Sequence, residues 1–217
     1  MTYSVKEMFY SLQGEGHHSG RPSVFCRFAG CNLWNGKEAS RATSVCTFCD
    51  TDFIGTDGQN GGKFKTEAAL AEAIESLWPE NAGNRFVVFT GGEPALQLTP
   101  ALIRELQQRG FECAVESNGT LPLPTELDWV CISPKGSSEV VITECDELKL
   151  VYPQQNALPE RFAAVKARYR YLSPLNDWTQ SSLLASSHGN TQQCIEYCLQ
   201  NPQWRLTLQS HKILNID

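Results

Sequence analysis

The amino-acid sequence predicts an α/β fold with a parallel sheet, open or closed into a barrel, and two observations carry that expectation. Apolar strand-like runs alternate with helical patterns along the chain, the way successive strand–helix–strand units are written in sequence. Phe86-Val87-Val88-Phe89 is apolar on both faces, as in a parallel strand covered on each side. Strands are expected over residues 23–29, 85–90, 112–116, 129–133, 147–151, 169–172 and 204–208. Helical spacing falls between them, over 66–77, 100–109, 159–167 and 191–199. Thr66 and Asn190 stand where N-caps belong, and Gly110 where a C-cap belongs. Two stretches interrupt the pattern. Residues 32–45 carry Asn35-Gly36-Lys37-Glu38 and little apolar content, so they read as an insertion between Cys31 and Cys46. Residues 56–65 hold Gly58, Gly61 and Gly62 and read as a flexible surface loop. With no internal repeat and no low-complexity tract, one domain over residues 1–217 suffices.

Composition excludes several functional classes. Hydrophobic residues at 41% and charged residues at 19% of 217 suit a globular chain large enough to bury most of its apolar surface. A net charge of −6 without a Lys/Arg-rich face argues against a nucleic-acid partner. No apolar stretch approaches the ~20 residues that span a bilayer. Residues 1–20 lack a basic start followed by an apolar run, so a cytoplasmic protein is expected. In that reducing compartment the nine cysteines should be thiols or metal ligands. Cys26, Cys113, Cys131 and Cys145 lie in or near apolar runs, and Cys194 and Cys198 fall four apart on a predicted helix; all six read as core.

The remaining cysteines carry chemistry. Cys31 follows the first apolar run, and Cys46-Thr47-Phe48-Cys49 follows the insertion. A Cys-x-x-Cys pair alone fits zinc, a redox dithiol or an iron–sulfur cluster. Structural zinc wants four protein ligands, and only His17 and His18 are at hand to complete such a site. Three thiolates on a cubane leave one iron open for a substrate or cofactor. The second signal is Thr90-Gly91-Gly92-Glu93-Pro94, at the carboxyl end of the most apolar strand, where parallel α/β folds bind ligands. Its glycines admit close backbone approach, and Glu93 offers a carboxylate for an ammonium group.

Together these residues resemble the radical S-adenosylmethionine superfamily. The resemblance implies a partial, open (β/α) barrel, a 4Fe-4S cluster on Cys31, Cys46 and Cys49, and S-adenosylmethionine chelating the open iron. Electron transfer from the cluster would cleave the cofactor to methionine and a 5′-deoxyadenosyl radical. The superfamily's usual spacing is Cys-x3-Cys-x2-Cys, and fourteen residues fill the first gap here. The chain is similar over its whole length to the 7-carboxy-7-deazaguanine synthases of queuosine biosynthesis, one branch of which carries the same insertion. The segments that carry this likeness are residues 6–16, 25–31, 49–51, 116–119 and 133–135 and the ending at 204–217.

The family resemblance implies a ring contraction of 6-carboxy-5,6,7,8-tetrahydropterin with loss of ammonia, S-adenosylmethionine being regenerated. By motif, Leu12, Gln13, Gly14, Glu15, Arg27, Thr90, His211 and the α-carboxylate of Asp217 are expected at the pterin, Arg27 pairing with its carboxylate. Phe48, Cys49, Asp50, Gly91, Gly92, Glu93, Ser117, Asn118, Ser133, Pro134 and Lys135 are expected at the cofactor. So are Ser173, Pro174, Leu175 and Asn176, where the family more often shows Gln-Pro. Thr51 is expected to hold Mg2+. An electron donor such as flavodoxin and a homodimer are implied as well. Ile213, Leu214 and Ile216 are apolar and expected to pack down as the terminal segment folds over the barrel. The rival readings are a radical-generating activase acting on a protein, which would lack the Leu-Gln-Gly-Glu-Gly opening, and a zinc-stabilised binding module without catalysis.

Overall fold

The structure, a computed structural model, describes residues 2–80, 82–175 and 188–216. Its strands are β1 (Tyr3–Leu12), β2 (Pro22–Phe28), β3 (Gly62–Phe64), β4 (Phe86–Gly91), β5 (Glu112–Ser117), β6 (Trp129–Ile132), β7 (Glu144–Tyr152), β8 (Lys166–Pro174) and β9 (Arg205–Leu206). Its helices are α1 (Glu67–Glu75), α2 (Pro100–Gln108), α3 (His188–Gln200) and α4 (Ser210–Leu214). The strands form one sheet in the order β3-β1-β2-β4-β5-β6-β7-β8-β9, with β3 and β9 as edges, so the barrel is open. From β2 to β9 every pairing is parallel. β1 runs antiparallel to both β2 and β3, which makes the sheet mixed where a parallel one was expected.

Local chemistry explains the elements that the sequence predicted. The Thr66 hydroxyl accepts from Ala69 N at the start of α1, and Thr99 caps α2 by accepting from Leu102 N. Gly110 follows α2 with φ +81°, the left-handed turn that a glycine enters without a Cβ penalty. Leu70 and Ile74 of α1 and Leu102, Ile103 and Leu106 of α2 bury one helical face against β2, β4 and β5. A second core gathers Leu148, Leu150, Leu172, Phe162, Cys194 and Trp204 under α3. Cys26, Cys113, Cys131, Cys145 and Cys194 are buried as expected, and Cys198 is half-buried.

Four expectations need correction. Residues 159–167 hold only a short 3-10 helix, Pro159–Phe162, because the chain from Lys166 onward pairs with β7. Residues 56–65 are not a free loop: Gly62–Phe64 is an edge strand, Gln59 O accepts from Met8 N, and a Cβ on Gly61 would stand 2.2 Å from Lys6 O. Asn190 lies inside α3, where its Nδ2 donates to Leu175 O instead of capping. Ile213 and Leu214 stay on the outside at 61% and 60% exposure. Polar contacts hold the terminal segment in their place: Ser210 donates N–H and Oγ–H to Gly14 O, and Lys212 pairs with Asp50.

Among the described residues no helix is long and apolar enough to cross a membrane.

Candidate active site

The parallel strands end together, and the chemistry-bearing loops leave from those ends. Cys31 follows β2, Gly92 and Glu93 follow β4, Asn118 follows β5, Ser133 to Lys135 follow β6, and Ser173 and Pro174 close β8. They enclose a cavity of about 230 Å3 lined by Cys31, Cys46, Phe48, Cys49, Asp50, Thr51, Gly91, Gly92, Ser117, Asn118, Ser133, Lys135, Ser173, Pro174 and Leu175. A second cavity, of about 370 Å3, is lined by Leu12, Gln13, Gly14, Arg27, Asp52 and His211. The two share Glu15, Asp50, Thr51, Thr90, Glu116, Lys149 and Gln209, so they are halves of one cleft. The predicted cofactor and substrate residues thus fall into adjoining halves.

Two predicted contacts do not line the cleft. Pro134 turns its carbonyl to Gln154 Nε2. Glu93 is fully buried: Oε1 accepts from Ala95 N and Ser117 Oγ, and Oε2 accepts from Asn118 N. Burial pushes its carboxyl up, and those donors counter the shift. In this arrangement Glu93 ties the loop after β4 to the end of β5. The paired glycines have a structural cause too, since a Cβ on Gly91 would stand 2.4 Å from Phe28 O and one on Gly92 2.1 Å from Gly30 O. Asn176 and Asp217 lie outside the described residues.

The donor set suits an iron–sulfur cluster. Three thiols face one half of the cleft, and Leu33 N donates to Cys31 Sγ at 3.4 Å. The Cys46 thiol donates to Cys49, which draws the Cys49 thiol down to about 6 and pushes Cys46 up. Lys135, buried beside them, favours thiolates, the form that ligates metal. His17 and His18 do not join this group: His17 stacks on Trp129 and Tyr169, His18 meets Trp129 edge-on and Phe86 at a tilt, and Trp129 and Phe86 begin their strands.

The second half is built by strand register. Glu7, Arg27 and Thr90 sit side by side across β1, β2 and β4. Arg27 Nε donates to Glu7 Oε1 at 2.8 Å, an ion pair that fixes the guanidinium. Thr51 lies between Asp50, paired with Lys212, and Asp52, paired with Lys6. Both carboxylates are engaged by lysines, which leaves the Thr51 hydroxyl as the oxygen donor of the kind a hydrated Mg2+ takes.

The sequence reading missed Glu116 and Lys149. Lys149 Nζ lies 2.8 Å from Glu15 Oε2 and 2.9 Å from Glu116 Oε2. Glu147, two residues earlier on β7, accepts from His17 N, while its buried Oε1 has no nitrogen or oxygen partner. Burial first, and Glu116 in addition, push its carboxyl up to about 7. A raised carboxyl stabilises the fold fully below the ordinary value of 4.5 and loses that contribution as pH climbs through about 7. Glu147→Gln should therefore gain on the wild type between pH 5 and pH 8, by up to about 3 kcal/mol. Urea denaturation at both pH values checks this, and equal differences at the two would refute it.

Known proteins share this chain's sequence and fold. Residues 41–142 match the Radical SAM superfamily, a span that contains Cys46, Cys49 and the loop after β4. The chain is similar to the 7-carboxy-7-deazaguanine synthase of Bordetella pertussis, 53% identical with all of both chains covered. It is similar to the synthase of the same name from Caulobacter vibrioides, 54% identical at the same coverage. In structure it resembles QueE from Escherichia coli, with a TM-score of 0.72, 28% identity, and 97% and 95% of the two chains covered.

Proposed function

The chain belongs to the 7-carboxy-7-deazaguanine synthase family, and from that premise we infer that its cleft contracts the ring of 6-carboxy-5,6,7,8-tetrahydropterin to 7-carboxy-7-deazaguanine, releasing ammonia in queuosine biosynthesis. It is a radical S-adenosylmethionine enzyme with a 4Fe-4S cluster and Mg2+ as cofactors. The observation that carries the assignment of residues is the division of one cleft into a thiol-lined half and an arginine-bearing half that share a wall.

When bound, the cluster and S-adenosylmethionine supply a radical that abstracts hydrogen. The protein's own residues hold, orient and shield. Cys31, Cys46 and Cys49 hold the cluster. Phe48, Cys49, Asp50, Gly91, Gly92, Ser117, Asn118, Ser133, Lys135, Ser173, Pro174 and Leu175 shape the cofactor half. Leu12, Gln13 and Gly14 carry one edge of the pterin. Glu15, kept ionised by Lys149 against the opposing effect of burial, accepts hydrogen bonds from the N–H groups of its guanidine-like edge. Thr90 stands at the shared wall, and the Thr51 hydroxyl serves Mg2+ beside the substrate carboxylate. His211 reaches the cleft because α4 is tied to Gly14.

Arg27 takes the substrate carboxylate: with Nε engaged by Glu7, its two terminal nitrogens are the pair such a group accepts from. Arg27→Lys keeps the charge and loses the fork. It should weaken substrate binding by about 1.5–3 kcal/mol, seen as a raised KM with normal cluster content. Unchanged kinetics in Arg27→Ala would dismiss the role.

An electron donor such as flavodoxin and a homodimer complete the reading. Exposed Leu206, Leu208, Ile213 and Leu214, on or near the open edge strand β9, support a second copy there, and sedimentation equilibrium decides it. The activity is tested by anaerobic incubation of the reconstituted enzyme with carboxytetrahydropterin, S-adenosylmethionine, Mg2+ and dithionite. Mass spectrometry should find carboxydeazaguanine; cofactor cleavage without that product would overturn the substrate assignment.

A further inference from the structure

The insertion at 32–45 departs from the superfamily's short cysteine spacing, and its contacts converge on one side chain. Arg41 Nε donates to both carboxylate oxygens of Glu38 at 2.8 Å, and the guanidinium lies 4.1 Å from the centre of the Trp34 ring. Trp34 is itself fixed, buried against Phe53 and donating Nε1–H to Lys37 O. So held, Arg41 Nη1 reaches back to the cysteine loop. It donates to Cys49 O at 2.8 Å and, at 3.4 Å, to Thr47 O.

Those carbonyls fix the opposite sides of their peptide planes. In a trans peptide the C=O of one residue and the N–H of the next point in opposite directions. The partner of the Thr47 carbonyl is the Phe48 N–H, and that amide favours the Cys46 thiolate, a small effect beside the Cys49 thiol and burial. One peptide thus has its carbonyl held by Arg41 while its amide favours a ligand thiolate. The Asp50 N–H is likewise turned away from Arg41 by the grip on Cys49 O.

We propose that Arg41 is a positioning residue for the cluster: it anchors the Cys46–Cys49 loop by its carbonyls, so that the loop's amides stay aimed at the thiolate sulfurs. The proposal rests on the cluster reading above. Amide–sulfur hydrogen bonds stabilise a thiolate-held cluster and raise its reduction potential. The insertion then acts as a strap that carries this clamp.

The test compares wild type, Arg41→Met and Arg41→Lys after anaerobic reconstitution with iron and sulfide. Iron release to a chelator, the reduction potential and the thermal unfolding of each apo-protein are measured. Arg41→Met should release iron about 10-fold faster or more, with a lowered potential and an unchanged apo-protein melt. Arg41→Lys should not rescue it, since the two carbonyls are held by a guanidinium that Glu38 and Trp34 fix in place. Iron release at the wild-type rate from Arg41→Met, or full rescue by Arg41→Lys, overturns the proposal. A lowered apo-protein melt would also overturn it, by assigning Arg41 to the fold. Wild type that takes up no iron or sulfide instead removes the cluster reading on which the proposal stands.

Discussion

Cys31→Ala, Cys46→Ala and Cys49→Ala should each come through anaerobic reconstitution without a 4Fe-4S cluster, and none should form 5′-deoxyadenosine. The three thiols line one half of the cleft, and each cluster iron that the protein holds has a single thiolate to hold it. The neighbours are engaged elsewhere: Lys135 is a cation, Asp50 pairs with Lys212, and Glu93 accepts from Ala95, Ser117 and Asn118. Cys26→Ala is the control. Its thiol is fully buried on β2, among the core side chains, and burial pushes it far above the ordinary range, so it is not an available thiolate. That variant should keep its iron and sulfide while losing roughly 1 kcal/mol of stability, as core truncations of this size do. Iron analysis and the reduced-state paramagnetic spectrum of the four proteins decide the matter. A cluster retained in Cys31→Ala and lost in Cys26→Ala would show the ligand assignment to be wrong.

Why these three cysteines were legible in the sequence, and other site residues were not, follows from how each does its work. A ligand loop after an apolar strand is a local pattern, and so is Gly-Gly after another, because a close backbone approach leaves glycine as its trace. β2, β4, β5 and β6 were legible for the same reason, as short apolar runs. β1 was not: a register shift between Val5 and Glu7, with Ser4, Lys6 and Glu7 along its length, breaks the alternation that would announce a strand. Residues 159–167 show helical spacing, yet pairing of Lys166–Pro174 with β7 overrides it. Arg41 acts on backbone carbonyls six and eight residues away, and no side-chain pattern marks such a role. The charged residues of β5 and β7 left only an irregularity, Glu116 following the apolar run 113–115 and Lys149 standing between Leu148 and Leu150.

That irregularity predicts the second large effect: Lys149→Met should unfold far more easily than the wild type at pH 8, and much less so at pH 5. Lys149 has 7% of its side chain exposed and meets two carboxylates, Glu15 and Glu116, themselves 15% and 21% exposed. Burial alone would depress its ammonium, but Glu116 and Glu15 outweigh that and hold it well above the usual lysine range. The same ammonium lowers the Glu15 carboxyl against the desolvation that would raise it. In the wild type, then, ionised Glu15 contributes stability that is present above the ordinary glutamate value and lost as pH falls through its depressed one. Removing the cation while keeping the carboxylates leaves uncompensated buried charge, which costs about 3–5 kcal/mol. Protons can repair that defect. Without Lys149, burial displaces the Glu15 carboxyl upward, and as pH falls it neutralises and the variant recovers. The deficit against wild type should therefore shrink as pH is lowered from 8 to 5, the opposite of what a packing defect gives, since loss of methylene contacts is indifferent to pH. Adding Glu15→Gln to Lys149→Met should restore part of the loss at pH 8, because it deletes one of the stranded charges. Urea titrations of the apo-proteins at the two pH values measure all three effects, and a deficit of equal size at both would mean that Lys149 serves this cleft by bulk and not by charge.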